Sequence, residues 1–250
     1  MKKIIALSAL ILFSAASHAS ALNMLQLDAD PGVYIEGTEE STVTTSNQFT
    51  LFALLDPSKV SSKYPLAGYH FFISAALTPQ ATITDGGDYG SFTFNGATVD
   101  ATADMTWGTP PVDFNATSQD LAGHGIFDTF YKEFAFTFDA NDTVRAYDVQ
   151  TEAGIPISAT TGDLLYRASF AVDISNIDPD YGIHFDLYGY TIDASGNPVI
   201  KSMEFAPFSH DVSAAPTAQP VPEPATMLLF GSGLTGLFGY VRRRKAYRAN

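Results

Sequence analysis

Cysteine is absent from the 250 residues. That excludes disulfides, zinc–thiolate centres, iron–sulfur ligation and thiol catalysis. Positive charge is scarce and misplaced. Lys2, Lys3, Arg242, Arg243, Arg244, Lys245 and Arg248 sit at the ends, which leaves six basic residues between 22 and 220. The same stretch carries 26 of the 27 acids, a net of −20. Such a surface repels phosphate, so no nucleic-acid partner is expected. Histidine is sparse, and the nearest two, His184 and His210, lie 26 residues apart. That spacing offers no clustered-histidine zinc site. No Gly-x-Ser-x-Gly elbow occurs, so the serine-hydrolase signature is missing. What the chain does have is 19 Phe, 12 Tyr and 46% hydrophobic residues. That composition folds rather than staying disordered.

The two ends read as addresses. Residues 1–21 have the order of a secretory signal peptide: Lys2 and Lys3, then the apolar run Ile4 to Phe13, then small residues. Cleavage by signal peptidase is expected near Ala19 or Ala21, after delivery by the general secretion machinery. At the other end, Val221-Pro222-Glu223-Pro224 is a stiff polar segment. Ala225 to Val241 follows, 17 residues without a charge, and then Arg242-Arg243-Arg244-Lys245. A helix of that length rises about 26 Å, the short limit for a hydrocarbon core of about 30 Å. The basic cluster belongs in the cytoplasm, which leaves the domain outside. Residues 211–220 are rich in Ala, Pro, Ser and Thr and read as a flexible spacer.

This tail, with motif 221–224, helix 225–241 and basic cluster 242–248, resembles the PEP-CTERM sorting signal. The resemblance implies recognition of Val221, Pro222, Glu223 and Pro224 by an exosortase, an integral-membrane protease-transpeptidase. It implies transient insertion in the inner membrane of a Gram-negative bacterium that makes exopolysaccharide. The protein would then reach the cell surface or extracellular matrix.

Residues 22–210 have the length of one domain, enough to bury about 70% of the unfolded surface without disulfides. Their pattern has period two. Phe134, Phe136 and Phe138 alternate with Glu133, Ala135, Thr137 and Asp139, which gives one apolar and one polar face. Similar runs occur at 47–55, 67–77, 90–95, 143–149, 164–174, 182–192 and 198–205. Turn residues separate them, as in Asp85-Gly86-Gly87-Asp88 and Asp193 to Pro198. No long stretch outside the ends has helical spacing. An all-β fold is expected, a single antiparallel β-sandwich or jelly roll.

A second resemblance covers most of this domain. Leu25-Gln26-Leu27-Asp28 with Gly32-Val33-Tyr34, Gln48 to Leu54, Asp104 to Pro111, and Gly123 to Phe127 followed by Glu133 and Phe134 carry it. These are similar to the choice-of-anchor N family of bacterial surface proteins. The family implies a β-rich secreted domain with an interchangeable C-terminal anchor and supplies no catalytic residue.

Three chemistries remain to be placed. Asp28-x-Asp30-x-Gly32 and Asp178-x-Asp180-x-Gly182 share a spacing that suits Ca²⁺, and Asp139 with Asn141 forms a third cluster. Trp107 and His124 lie in the irregular stretch 104–131 and are candidates for glycan contact. Against both stands the plainer reading, that Asp and Gly form turns and the Trp covers one end of the core. His70 and His184 sit in strand-like runs and read as ordinary sheet residues. The expected function is a non-enzymatic exported surface or matrix protein associated with exopolysaccharide. The alternatives are a glycan- or peptide-acting hydrolase using loop 104–131 and a calcium-bridged, self-associating coat. Deleting Arg242–Asn250 should leave a precursor of full remaining mass that fails to leave the inner membrane. Mass spectrometry and cell fractionation check this, and unchanged processing and location would contradict it.

Overall fold

The computed structural model describes residues 24–36, 41–79, 81, 87–109, 128–207 and 210–216. The signal-peptide segment, the sorting tail and His124 lie outside the described residues. The described chain is two stacked sheets. The first contains β1 (Leu25–Asp30), β4 (Gln48–Leu55), β11 (Leu164–Ile177), β6 (Gly90–Phe94) and β7 (Ala97–Asp100), side by side in that order. β10 (Thr143–Arg145) also pairs with β11. The second runs β2 (Val33–Ile35), β3 (Ser41–Thr44), β14 (Val212–Ala214), β12 (Gly182–Ile192), β5 (Tyr69–Thr78), β9 (Thr129–Phe136) and β8 (Thr106–Gly108). β13 (Pro198–Phe205) also pairs with β12. Each pairing is antiparallel except β3 with β14. The all-β expectation holds.

Alternation along each strand builds the core. The odd-numbered residues of β1, β4, β5 and β12 face the gap between the sheets: Leu25 and Leu27, Leu51 and Leu55, Phe71 and Ile73, Phe185 and Leu187, all buried. Rings cross the gap. Phe49 meets Phe185 edge-on at 6.0 Å, Phe94 stacks on Phe134 at 4.0 Å, and Phe136 meets Phe170 edge-on at 5.2 Å. These are the preferred geometries of aromatic pairs. The inward face of the Phe134 and Phe136 run is the apolar face that the sequence marks.

Two segments depart from the sequence reading. Asp211 to Ala214 is not spacer. Val212–Ala214 is a strand between β3 and β12, and His210, Asp211, Val212 and Ala214 are buried. Three residues are too few to show a period, and partners on both sides supply what local sequence does not. Within the run 143–149, β10 ends at Arg145 and the one-turn helix α1 (Val149–Glu152) begins. Asp148 caps it by accepting from Gln150 N at 3.0 Å. Within the irregular stretch, Trp107 belongs to β8 and Tyr131 to β9.

Phe185 is fully buried and touches rings from two strands of the opposite sheet. Replacing it by Ala should lower unfolding free energy by about 3–5 kcal/mol. Denaturant titration checks this, and a loss below about 1 kcal/mol would mean that the sheets do not pack through this ring.

Candidate functional site

The even-numbered residues of β12 and β5 face away from the core, and the outer face of this sheet divides in two. One half is aromatic. Phe72 stacks on Tyr188 and on Tyr190, each at 5.3 Å, His70 stacks on Tyr190 at 6.3 Å, and Phe205 of β13 lies 5.8 Å from Tyr188. His70 is exposed, Phe72 and Phe205 are half-buried, and Tyr188 is buried. Burial and the Glu133 carboxylate, which accepts from the hydroxyl, push the Tyr188 phenol far up, so it stays protonated.

The other half is polar. His184 and Asp186 are two apart on β12, hence on one face. Asp211 precedes β14, whose Ser213 stands opposite His184. His184 Nε2 lies 3.4 Å from Asp186 Oδ1 and 3.3 Å from Asp211 Oδ2, while Nδ1 is 2.9 Å from Ser213 Oγ. One nitrogen of His184 and one oxygen of each aspartate all fall within 4.8 Å of one another. Asp186 and Asp211 are 4% and 2% exposed. Burial opposes charge on His184, but the adjacent Asp186 and Asp211 carboxylates outweigh it and hold the imidazole well above its ordinary range. His210 makes the contrast. It is buried beside the Asp148 carboxylate, Oδ1 at 3.1 Å, and burial outweighs that charge, so its pKa is lowered.

A third polar group lies on the outer face of the first sheet, under residues 144–154. Gln26 bonds the chain at Tyr147 O (3.2 Å) and Val149 N (3.1 Å). Asp28 accepts from Ala29 N at 2.8 Å, Gly154 N at 3.1 Å and the Tyr147 hydroxyl at 3.0 Å. These bonds hold the start of α1 in place, where Val149 packs with Phe52, Leu54 and Val144 in one apolar cluster.

The structure disperses the calcium candidates. Asp28 is a fully buried strand residue whose oxygens serve internal donors, and Asp30 ends the same strand. Asp178 accepts from Asp180 N at 2.9 Å, and Asp139 from Asn141 N at 2.8 Å, so both clusters form turns closed on themselves. The neighbouring Asp142 is paired with Arg167 at 2.8 Å. The shared Asp-x-Asp-x-Gly spelling therefore adopts two unrelated conformations. Trp107 packs edge-on against Phe130 at 5.0 Å on the core side and covers the end of the core. The group that does converge, His184 with Asp186 and Asp211, is missed when His184 is read as an ordinary sheet residue. Its available signal is the His-x-Asp spacing on a strand; Asp211 joins it only through the fold.

The family model of the PEP-CTERM protein-sorting motif matches residues 220–245. The match supports an exported surface protein that carries a C-terminal membrane-anchoring tail and is processed by an exosortase, a membrane protein. No curated protein matches the chain. Among solved structures, the collagen-binding domain of Erysipelothrix rhusiopathiae surface protein RspB is 10% identical, with 78% of this chain and 46% of that chain covered and a TM-score of 0.25. This chain thus spans about half the length of that structure. AvmM, which catalyses macrocyclisation in alchivemycin A biosynthesis, is 7% identical, with 80% and 93% covered and a TM-score of 0.28. Neither similarity reaches a level that carries an argument about fold or activity.

Burial raises the Asp28 pKa from 3.8 to about 6, against hydrogen bonds from Gly154, Ala29 and Tyr147 that lower it. Its protonated form therefore favours folding fully below pH 3.8, and that contribution is lost as pH rises to about 6. Going from about pH 4 to about pH 7, the wild type should lose about 2 kcal/mol relative to Asp28→Asn. Parallel melting profiles for the two proteins would show that Asp28 does not titrate this way.

Proposed function

We propose that this chain is a non-enzymatic surface or matrix component of a Gram-negative bacterium, delivered by an exosortase and in contact with the producer's exopolysaccharide. The observation that carries the reading is the sorting motif at residues 220–245. The reading takes most of residues 22–210 as a choice-of-anchor N-like domain, a module joined to an exchangeable anchor. The outer aromatic strip adds a surface suited to sugar rings. His70 is exposed and Phe72 half-buried on this strip, where they stack with Tyr190 and Tyr188. A flat apolar ring face with polar groups beside it matches the alternating C–H and O–H surface of a pyranose. Trp107 packs against the core and His124 lies outside the described residues, so the strip is the glycan contact put forward first.

The full-length chain should co-sediment with exopolysaccharide from the producing organism, in calcium and in chelator alike. His70→Ala should reduce retention severalfold while leaving the melting temperature unchanged. Absence of the chain from the pellet in both buffers would remove the polysaccharide role and leave only the sorting assignment. Equal retention of the variant would move the contact off the strip.

A further inference from the structure

We propose that His184, Asp186 and Asp211 form a binding site for one divalent first-row transition ion, with zinc the best fit to the donor set. One imidazole nitrogen and two carboxylate oxygens suit zinc-type ions. Calcium asks for 6–8 oxygen ligands and takes no imidazole.

The distances fit. With bonds of about 2.0–2.1 Å, the corners of a tetrahedron lie about 3.3–3.5 Å apart. His184 Nε2 already stands 3.4 Å and 3.3 Å from one oxygen of each aspartate. An ion between them needs the loss of one proton from the imidazole, and the two carboxylate oxygens lie within 4.8 Å of each other. Ser213 Oγ, 2.9 Å from Nδ1, can accept from Nδ1–H. It then fixes the ring plane and leaves the Nε2 lone pair facing the carboxylates, as outer partners of metal-bound histidines do. The charge fits as well. A neutral imidazole and two carboxylates sum to the opposite of a divalent cation. Burial of both aspartates makes that compensation matter more than it would in water. The His184 side chain is 20% exposed, which gives an ion a way in.

An independent observation comes from β5. Ser74 stands directly opposite Asp186 in the ladder, so its side chain shares the outward face. It is 0% exposed, and its Oγ has no hydrogen-bond partner among the described residues. An orphaned buried hydroxyl is costly. A water in the fourth coordination position of the ion would give it a partner. A bound ion would also join β12 to the start of β14, two segments far apart in sequence.

The test uses the full-length chain stripped with chelator and titrated with Zn²⁺, with Ca²⁺ in parallel, following melting temperature and bound metal. One zinc per chain with a higher melting temperature is expected, with no comparable response to calcium. His184→Gln and Asp211→Asn should weaken zinc binding at least about tenfold, and His70→Gln should not. A wild-type protein that takes no zinc, takes calcium equally well, or gives the same response in His184→Gln would overturn the proposal. Co²⁺ loading of the wild type covers the case in which the variants do not fold. Intense visible bands of a four-coordinate ion are expected, and the faint spectrum of hexaaqua cobalt would overturn the proposal.

Discussion

A strand sends its side chains alternately to two faces, so filling one face decides what the other can hold. In β5 and β12 the odd-numbered residues are committed to the gap between the sheets, where Phe71, Ile73, Phe185 and Leu187 lie buried. Without disulfides, that apolar interface is the principal restraint on the two sheets. The even-numbered residues of the same strands are thereby placed outward in a fixed register. This register sets His184 across from Ser213, Asp186 across from Ser74, and Tyr188 across from Phe72. A slip of one residue would exchange the two sets and destroy both the core and the outer face.

The acidic excess follows a pattern. Few basic residues are available, and two of them serve surface pairs, Arg145 with Glu152 and Arg167 with Asp142, each at 2.8 Å. Such exposed pairs contribute little. Many aspartates are instead consumed locally. Asp56, Asp88, Asp173 and Asp193 each accept from a backbone N–H two residues on. Three others are buried deep enough for their surroundings to matter more than the overall field. Asp28 clamps the segment over the first sheet, and Asp186 with Asp211 flank a histidine on the second.

The parts readable from sequence were those encoded locally. The strands at 48–55, 164–177, 182–192 and 198–205 show as aromatic or β-branched runs between turn residues. The sorting motif shows as a linear string that needs no fold to be recognised. Short strands were not readable, because three or four residues such as Val212–Ala214 carry no period. The β6–β7 hairpin did leave a signal in Asn95-Gly96, whose positive backbone angles suit a tight two-residue turn. The fate of the aspartates was the hardest to see. Asp28 and Asp178 share a spelling, yet one is sealed beneath α1 and the other closes a turn. The convergence of Asp211 on His184 depends on a strand threaded between two others, which no local pattern announces.

That threading also sets how the domain bears force. β14 is the last strand among the described residues, and the sorting motif follows it in the sequence. β14 is not an edge strand: it bonds to β12 on one side and β3 on the other. A protein tethered through its C-terminal side would feel a pull along the axis of this interior strand. Both hydrogen-bond ladders would be loaded in shear and would have to yield together, instead of opening one bond at a time as a peeled edge does. The strand is short, so the side chains at its root share the load. For such a tether, the placement of β14 between two partners would matter separately from the overall stability of the domain.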